Sequence, residues 1–234
     1  MTVLWVVIVG VLAGLVALGL IVLVAAGLRH RQQAWRLRAY ALRQGWTYQA
    51  TDPDLAQRWP DLPLMATDGH ARDIATGRID GLDFRTFVYT PGRADHPADV
   101  WRHVSGAGVV AVTTPAAVPL VVLEPTSFVD ALGWGEDDAL TLGQADFDAA
   151  WQVYGDETTA RAILTDAVVA WLMDPEHRVS YGFDQGELVI WTVERIVPDD
   201  VEVYVGHLAD LLALIPPEVW AASVEDPATA VDPA

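Results

Sequence analysis

The chain has no cysteine and no lysine, and it has no acidic residue before Asp52. Without thiols there is no cysteine nucleophile, no disulfide framework and no Cys-ligated zinc or iron–sulfur site. Without lysine there is no Schiff base and no lysine of a Walker phosphate loop. A chain with no disulfides agrees with a cytoplasmic setting. The late arrival of acid splits the charge: residues 1–51 carry five Arg and net +5, whereas residues 52–234 carry nine Arg against 32 Asp and Glu and net −23. Nucleic-acid binding needs a positive footprint, so the acidic part is excluded as a nucleic-acid binder.

Val3 to Leu28 contains no charged residue, and seventeen of its 26 residues are Val, Leu or Ile. As a helix rising 1.5 Å per residue it would reach about 39 Å, against a hydrocarbon core of about 30 Å. Residues 1–28 are therefore expected to be a transmembrane anchor. Only Met1 and Thr2 precede the run, so the basic leader of a cleaved signal peptide is missing, although Ala25 and Gly27 would suit a cleavage site. Arg29, Arg31, Arg36, Arg38 and Arg43 all follow the run. The positive-inside rule then puts residues 29–234 on the cytoplasmic side of the cell membrane. The arginines, Arg29, Arg31, Arg36 and Arg38 first among them, suit anionic lipid headgroups. Gly10 and Gly14 form a GxxxG step that suits self-association of two such helices.

Residues 29–45 read as a basic juxtamembrane helix closed by Gly45. Residues 46–221 read as one acidic α+β domain, and residues 222–234, which lack bulky apolar residues, as a disordered tail. Within the domain WTYQA is a short strand, and Pro53 starts a brief helix. HARDIATGRI and LDFRTFVYT form a hairpin across Asp80-Gly81. GVVAVTTP and VPLVVLEP are apolar enough to be central strands, and RVSYGF and ELVIWTVE form a second hairpin across Asp184-Gln185-Gly186. Asp156 caps a helix spanning 157–173, and Asp199 with Glu202 forms a capping box for a helix over 200–215. The expected fold is an antiparallel sheet of two hairpins and two central strands, covered by these helices.

Arg43-Gln44-Gly45-Trp46, Phe87-Val88-Tyr89, Val153-Tyr154-Gly155-Asp156 and Ala162-Ile163-Leu164 together give a resemblance. The chain resembles a family of uncharacterised, membrane-anchored actinobacterial proteins, a domain of unknown function. Two of that family's segments are altered here, with Leu142-Gly143-Gln144 in place of Leu-Glu-Ser and Phe147-Asp148 in place of Phe-Asn. The resemblance implies the architecture; the family has no assigned activity to carry over.

Several residues have the chemistry of a site without its pattern. Gly106 to Ala111 matches GxGxxA, but a β-branched run and Pro115 follow where a dinucleotide site needs a helix. Glu136-Asp137-Asp138 with Asp146 and Asp148 lacks calcium-loop spacing. His70 with Asp73, and His96 with His103, stand outside any acid–base motif, and Ser105 is not in GxSxG. Trp134, Trp151, Trp171, Trp191 and Trp220 read as core. No catalytic, cofactor-binding or metal residue is therefore assigned, and no cofactor.

The leading expectation is a single-pass membrane protein whose domain is a non-catalytic interaction or scaffold module for an unknown protein partner, one with a basic surface suiting the −23 charge. Two alternatives stand beside it: a hydrolase or metal-dependent enzyme using His and carboxylates from residues 91–106 and 133–148, and an exported domain with a cleaved signal.

Overall fold

The computed structural model describes residues 34–63, 69–90, 106–132, 139–193 and 195–225, together with Gly19. Apart from Gly19, the expected anchor, including Gly10 and Gly14, lies outside these residues, as do Arg29 and Arg31. Among the described residues no helix is long and apolar enough to cross a membrane.

The first helix, α1 over 34–43, ends as its sequence requires. Gly45 takes φ +75°, the Trp46 amide donates to the Ala41 carbonyl at 2.8 Å and the Gly45 amide to Leu42 at 3.4 Å, a Schellman closure open to glycine without strain. Eight strands follow: β1 Thr47–Asp52, β2 His70–Ile79, β3 Leu82–Thr90, β4 Ala107–Thr113, β5 Val121–Pro125, β6 Trp151–Gly155, β7 Ser180–Asp184 and β8 Glu187–Thr192. They form one antiparallel sheet in the order β1-β2-β3-β4-β8-β7-β5-β6. The remaining helices are α2 Thr126–Leu132, α3 Ala145–Ala150, α4 Glu157–Ile163, α5 Asp166–Leu172, α6 Asp200–Leu214 and α7 Pro217–Glu225. The fold is α+β, as expected.

Both hairpins form where expected. Asp80 and Gly81 take φ +48° and +88°, and Gln185 and Gly186 take +50° and +74°, the pair of left-handed residues that a two-residue turn demands. The GxGxxA stretch is a turn entering a strand: Gly106 precedes β4, and a side chain there would press on Val88.

Four expectations need correction. The sheet has eight strands rather than six, because WTYQA pairs with β2 as an edge strand and Trp151–Gly155, unread in the sequence, forms the opposite edge. The single helix over 157–173 is two. Asp156 caps the first through the Thr159 amide at 2.7 Å, while Thr165, itself extended, caps a second through the Val168 amide at 3.4 Å, so the chain restarts rather than continues. The Asp199–Glu202 capping box does not form: Asp199 takes a helical φ −72°, ψ −22° and makes no side-chain cap, and the Glu202 carboxylate accepts instead from Tyr40 and Gln44 of the distant α1 segment. Finally, α7 runs to Glu225, past the boundary set at residue 221.

Alternation along the central strands divides the apolar residues between two faces. Phe84, Val110, Val112, Leu188 and Ile190 join one cluster under the helices, whereas Phe87, Tyr89, Val109, Ala111, Val189 and Trp191 join another on the reverse face. The sheet is thus a middle layer, which is why its central strands are apolar on both sides.

Candidate functional site

In β2 the pairing with β3 slips by one residue between Arg72 and Ala75. Asp73 occupies this bulge at φ +52°, a conformation that Asp tolerates better than most side chains. The slip leaves Ala71 and Ile74 on one face and Ala75 on the other. It also turns the Asp73 carboxylate, which is 8% exposed, toward a groove beside α1.

That groove encloses about 640 Å³ between α1, the bulge, Val88 and the connection over residues 195–199 that leads into α6. α1 is fixed by its buried Leu37 and Ala41, and by the Tyr40 hydroxyl, which donates to Glu202 Oε1 at 2.8 Å. Gln44 Nε2 adds a 3.1 Å bond to the same oxygen. The apolar wall includes Leu37, Val88, Ile196 and Pro198; the charged lining is Arg36, Arg43 and Arg195 against Asp73 and Asp199. At the rim the Arg38 guanidinium lies 5.5 Å from the Trp35 ring centroid, and Arg43 lies 5.7 Å from Tyr40.

Asp73 organises the charge beneath. It accepts a 2.9 Å hydrogen bond from the Tyr48 hydroxyl. Burial first, and this bond to a carboxylate second, push the Tyr48 phenol up to about 12, so it stays protonated as a donor. Burial also lowers the Arg195 guanidinium, and the neighbouring Asp73 charge opposes that effect. Arginine starts so high that it remains charged. The groove is a fixed cationic and apolar recess, suited to holding an anion with an apolar portion.

The residues singled out in the sequence do not converge there as a catalytic set. His70 is exposed at the start of β2, while Asp73 serves Tyr48. Asp148 accepts the Leu142 and Gly143 amides, both at 3.0 Å, and so fixes a turn; Asp146 is exposed in the first turn of α3. His96, His103, Ser105, Trp134 and Glu136-Asp137-Asp138 lie outside the described residues. Among the described residues no group of three His, Asp or Glu could hold a metal ion. Trp151, Trp191 and Trp220 are buried, and Trp171 stacks on His177 at 3.7 Å between centroids.

Sequence reasoning missed two arrangements. One is the groove, of which only the arginines carried a signal. The other is a histidine pair: His177 and His207 lie edge to face at 4.8 Å, with Nδ1 of His207 buried and unpartnered among the described residues.

No family model matches the chain, and no curated protein matches it. Among solved structures it is similar to the mycobacterial trehalose monomycolate transport factor A, TtfA, at 21% identity, covering 80% of this chain and 97% of that one. The TM-score is 0.54, and the likeness is one of fold.

Proposed function

We propose that this chain is a non-catalytic, membrane-tethered module that assists the transport of an envelope lipid. The observation that carries the reading is the fold shared with nearly the whole of a trehalose monomycolate transport factor. The apolar run over residues 3–28 supports the tether, and the arginines after it support a cytoplasmic face for the acidic domain by the positive-inside rule. The groove beside α1 gives a module of this kind a place to meet its partner. The membership of a family of membrane-anchored actinobacterial proteins, read from the sequence, belongs to the same proposal.

The test is to delete the gene in its own cells and follow newly labelled envelope lipids. A transport role predicts that one lipid class accumulates in the cell membrane at the expense of the outer envelope, with its total synthesis unchanged. Unchanged distribution, or a fall in synthesis itself, overturns the reading. Topology is checked separately by single cysteines at Thr2 and Ala230, which stand alone in a chain without native thiols. Labelling of Ala230→Cys by an impermeant reagent in intact cells would put the domain on the other side.

A further inference from the structure

We propose that the groove between α1 and residues 195–199 docks on the headgroups of anionic bilayer lipids and so holds this face of the domain against the membrane. The inference rests on the tethered reading above and adds to it an orientation and the residues that set it.

Position is the first argument. The uncharged run ends at Leu28, and Trp35 of the groove follows seven residues later. Seven residues span about 10 Å as a helix and at most about 25 Å fully extended, so the mouth of the groove stays near the headgroup layer by construction. Charge is the second. Residues 52–234 carry net −23, which an anionic surface repels, whereas the groove gathers Arg36, Arg43 and Arg195 against two aspartates, with Arg38 at its rim. This is the face that can approach.

Exposure is the third argument and the most selective. Among the described residues the exposed large hydrophobic side chains are Trp35, Leu42, Val193, Val197 and Val203. Trp35 and Leu42 stand on α1, two turns apart; the others lie in the stretch from the end of β8 to the first turn of α6, which packs beside α1 through Glu202. Trp35 is 65% exposed and Val197 42%, and both line the groove. An indole beside a guanidinium, with an aliphatic neighbour, is the pairing that the boundary between headgroups and acyl chains favours. A basic rim alone would also suit free phosphate; the apolar edge and the short tether select lipid.

The absence of native cysteine makes the test direct. The full chain is reconstituted in nanodiscs of phosphatidylcholine, with or without phosphatidylglycerol, carrying a nitroxide at Val197→Cys or, as control, at Glu157→Cys. Glu157 begins α4, which packs on the far edge strand β6. Docking predicts that in anionic discs the label at position 197 is more accessible to oxygen than to a nickel chelate, and that the label at 157 is not. The contrast should vanish in neutral discs and in the Arg36→Glu/Arg43→Glu variant, each arginine near an anionic surface being worth roughly five-fold in the ratio of docked to undocked domain.

If position 197 behaves like position 157 in anionic discs while the chain still co-elutes with them, docking is overturned and the tether stands. A chain that does not co-elute overturns the tether and the docking together. Spin–spin broadening between two labels at 197 would assign the groove to a second copy and overturn the lipid assignment. Circular dichroism of each variant confirms that the fold is retained.

Discussion

On one face of the sheet the cover is helical: side chains from α1, α3, α4, α5, α6 and α7 converge on Phe84, Val110, Leu188 and their neighbours. On the other face, Leu55, Trp59 and Leu62 of the short segment between β1 and β2 lie over Phe87, Tyr89, Val109 and Trp191, with Phe128 of α2 beside them. The helical face divides its burial among many residues and leaves outward surfaces free to form the groove. The reverse face concentrates it in a few aromatics, with a cover segment whose regular structure, among its described residues, is one 3-10 turn. Trp59 is fully buried and stacks on Phe87 at 5.8 Å with ring planes 4° apart.

The contrast makes the largest predicted effect Trp59→Ala. A large aromatic lost from a full core costs about 3 to 5 kcal/mol, through transfer of the ring and the cavity it leaves. Its Nε1 has no hydrogen-bond partner among the described residues, so lost packing accounts for the whole loss. Leu208→Ala, at a fully buried position of α6, is predicted to cost about 2 to 4 kcal/mol, because neighbouring helices can settle into the gap. Urea unfolding of the full chain in micelles ranks the two. A larger loss for Leu208→Ala than for Trp59→Ala would show that the faces share their load evenly.

What could be read beforehand divides along a similar line. Local devices were readable because each is complete within a few residues: Asp80-Gly81 must turn, Gly45 must end α1, and Asp156 must cap. Strand β6 was missed because Trp151–Gly155 falls between α3 and the Asp156 cap, too short to show its own period. The break inside 157–173 was missed because the apolar spacing across Thr165 still suits one helix, although Thr165-Asp166 is a second cap signal. Neither the fate of Glu202 nor the groove could have been read, since each depends on segments more than 100 residues apart meeting in space. The Asp73 bulge, which aims the groove's carboxylate, has no signature in HARDIATGRI at all.

Smaller effects come from two titrating groups, and they run in opposite directions. Asp184, before the β7–β8 turn, is raised to about 6 by burial first and by the nearby Asp61, with Glu187 adding to it and the Gln185 amide opposing. Its folded value lies above its unfolded one, so the folded state holds the proton more tightly. This group therefore favours folding as pH falls from about 7 toward 4. Asp184→Asn should raise the melting temperature at pH 8 and change it little at pH 4.5, and equal shifts at both would exclude the carboxylate as the cause.

His207 works the other way. Burial first, and the facing His177 second, lower it below 6.5, against the opposing pull of Asp210 and Glu176. Tyr204 and Trp171 complete its surroundings, each 6.1 Å away between ring centroids. A histidine lowered on folding leaves the unfolded chain with more bound protons, so its contribution is full above 6.5 and is lost as pH falls through the folded value. His177 donates its Nδ1 hydrogen to the Trp171 carbonyl at 2.7 Å, which fixes its ring against His207 at 4.8 Å between centroids. His207→Gln should therefore flatten the fall in melting temperature between pH 7 and pH 5.5 that the wild type shows once Asp184 is replaced by Asn. In the double variant a fall as steep as in Asp184→Asn alone would assign the acid sensitivity to other groups.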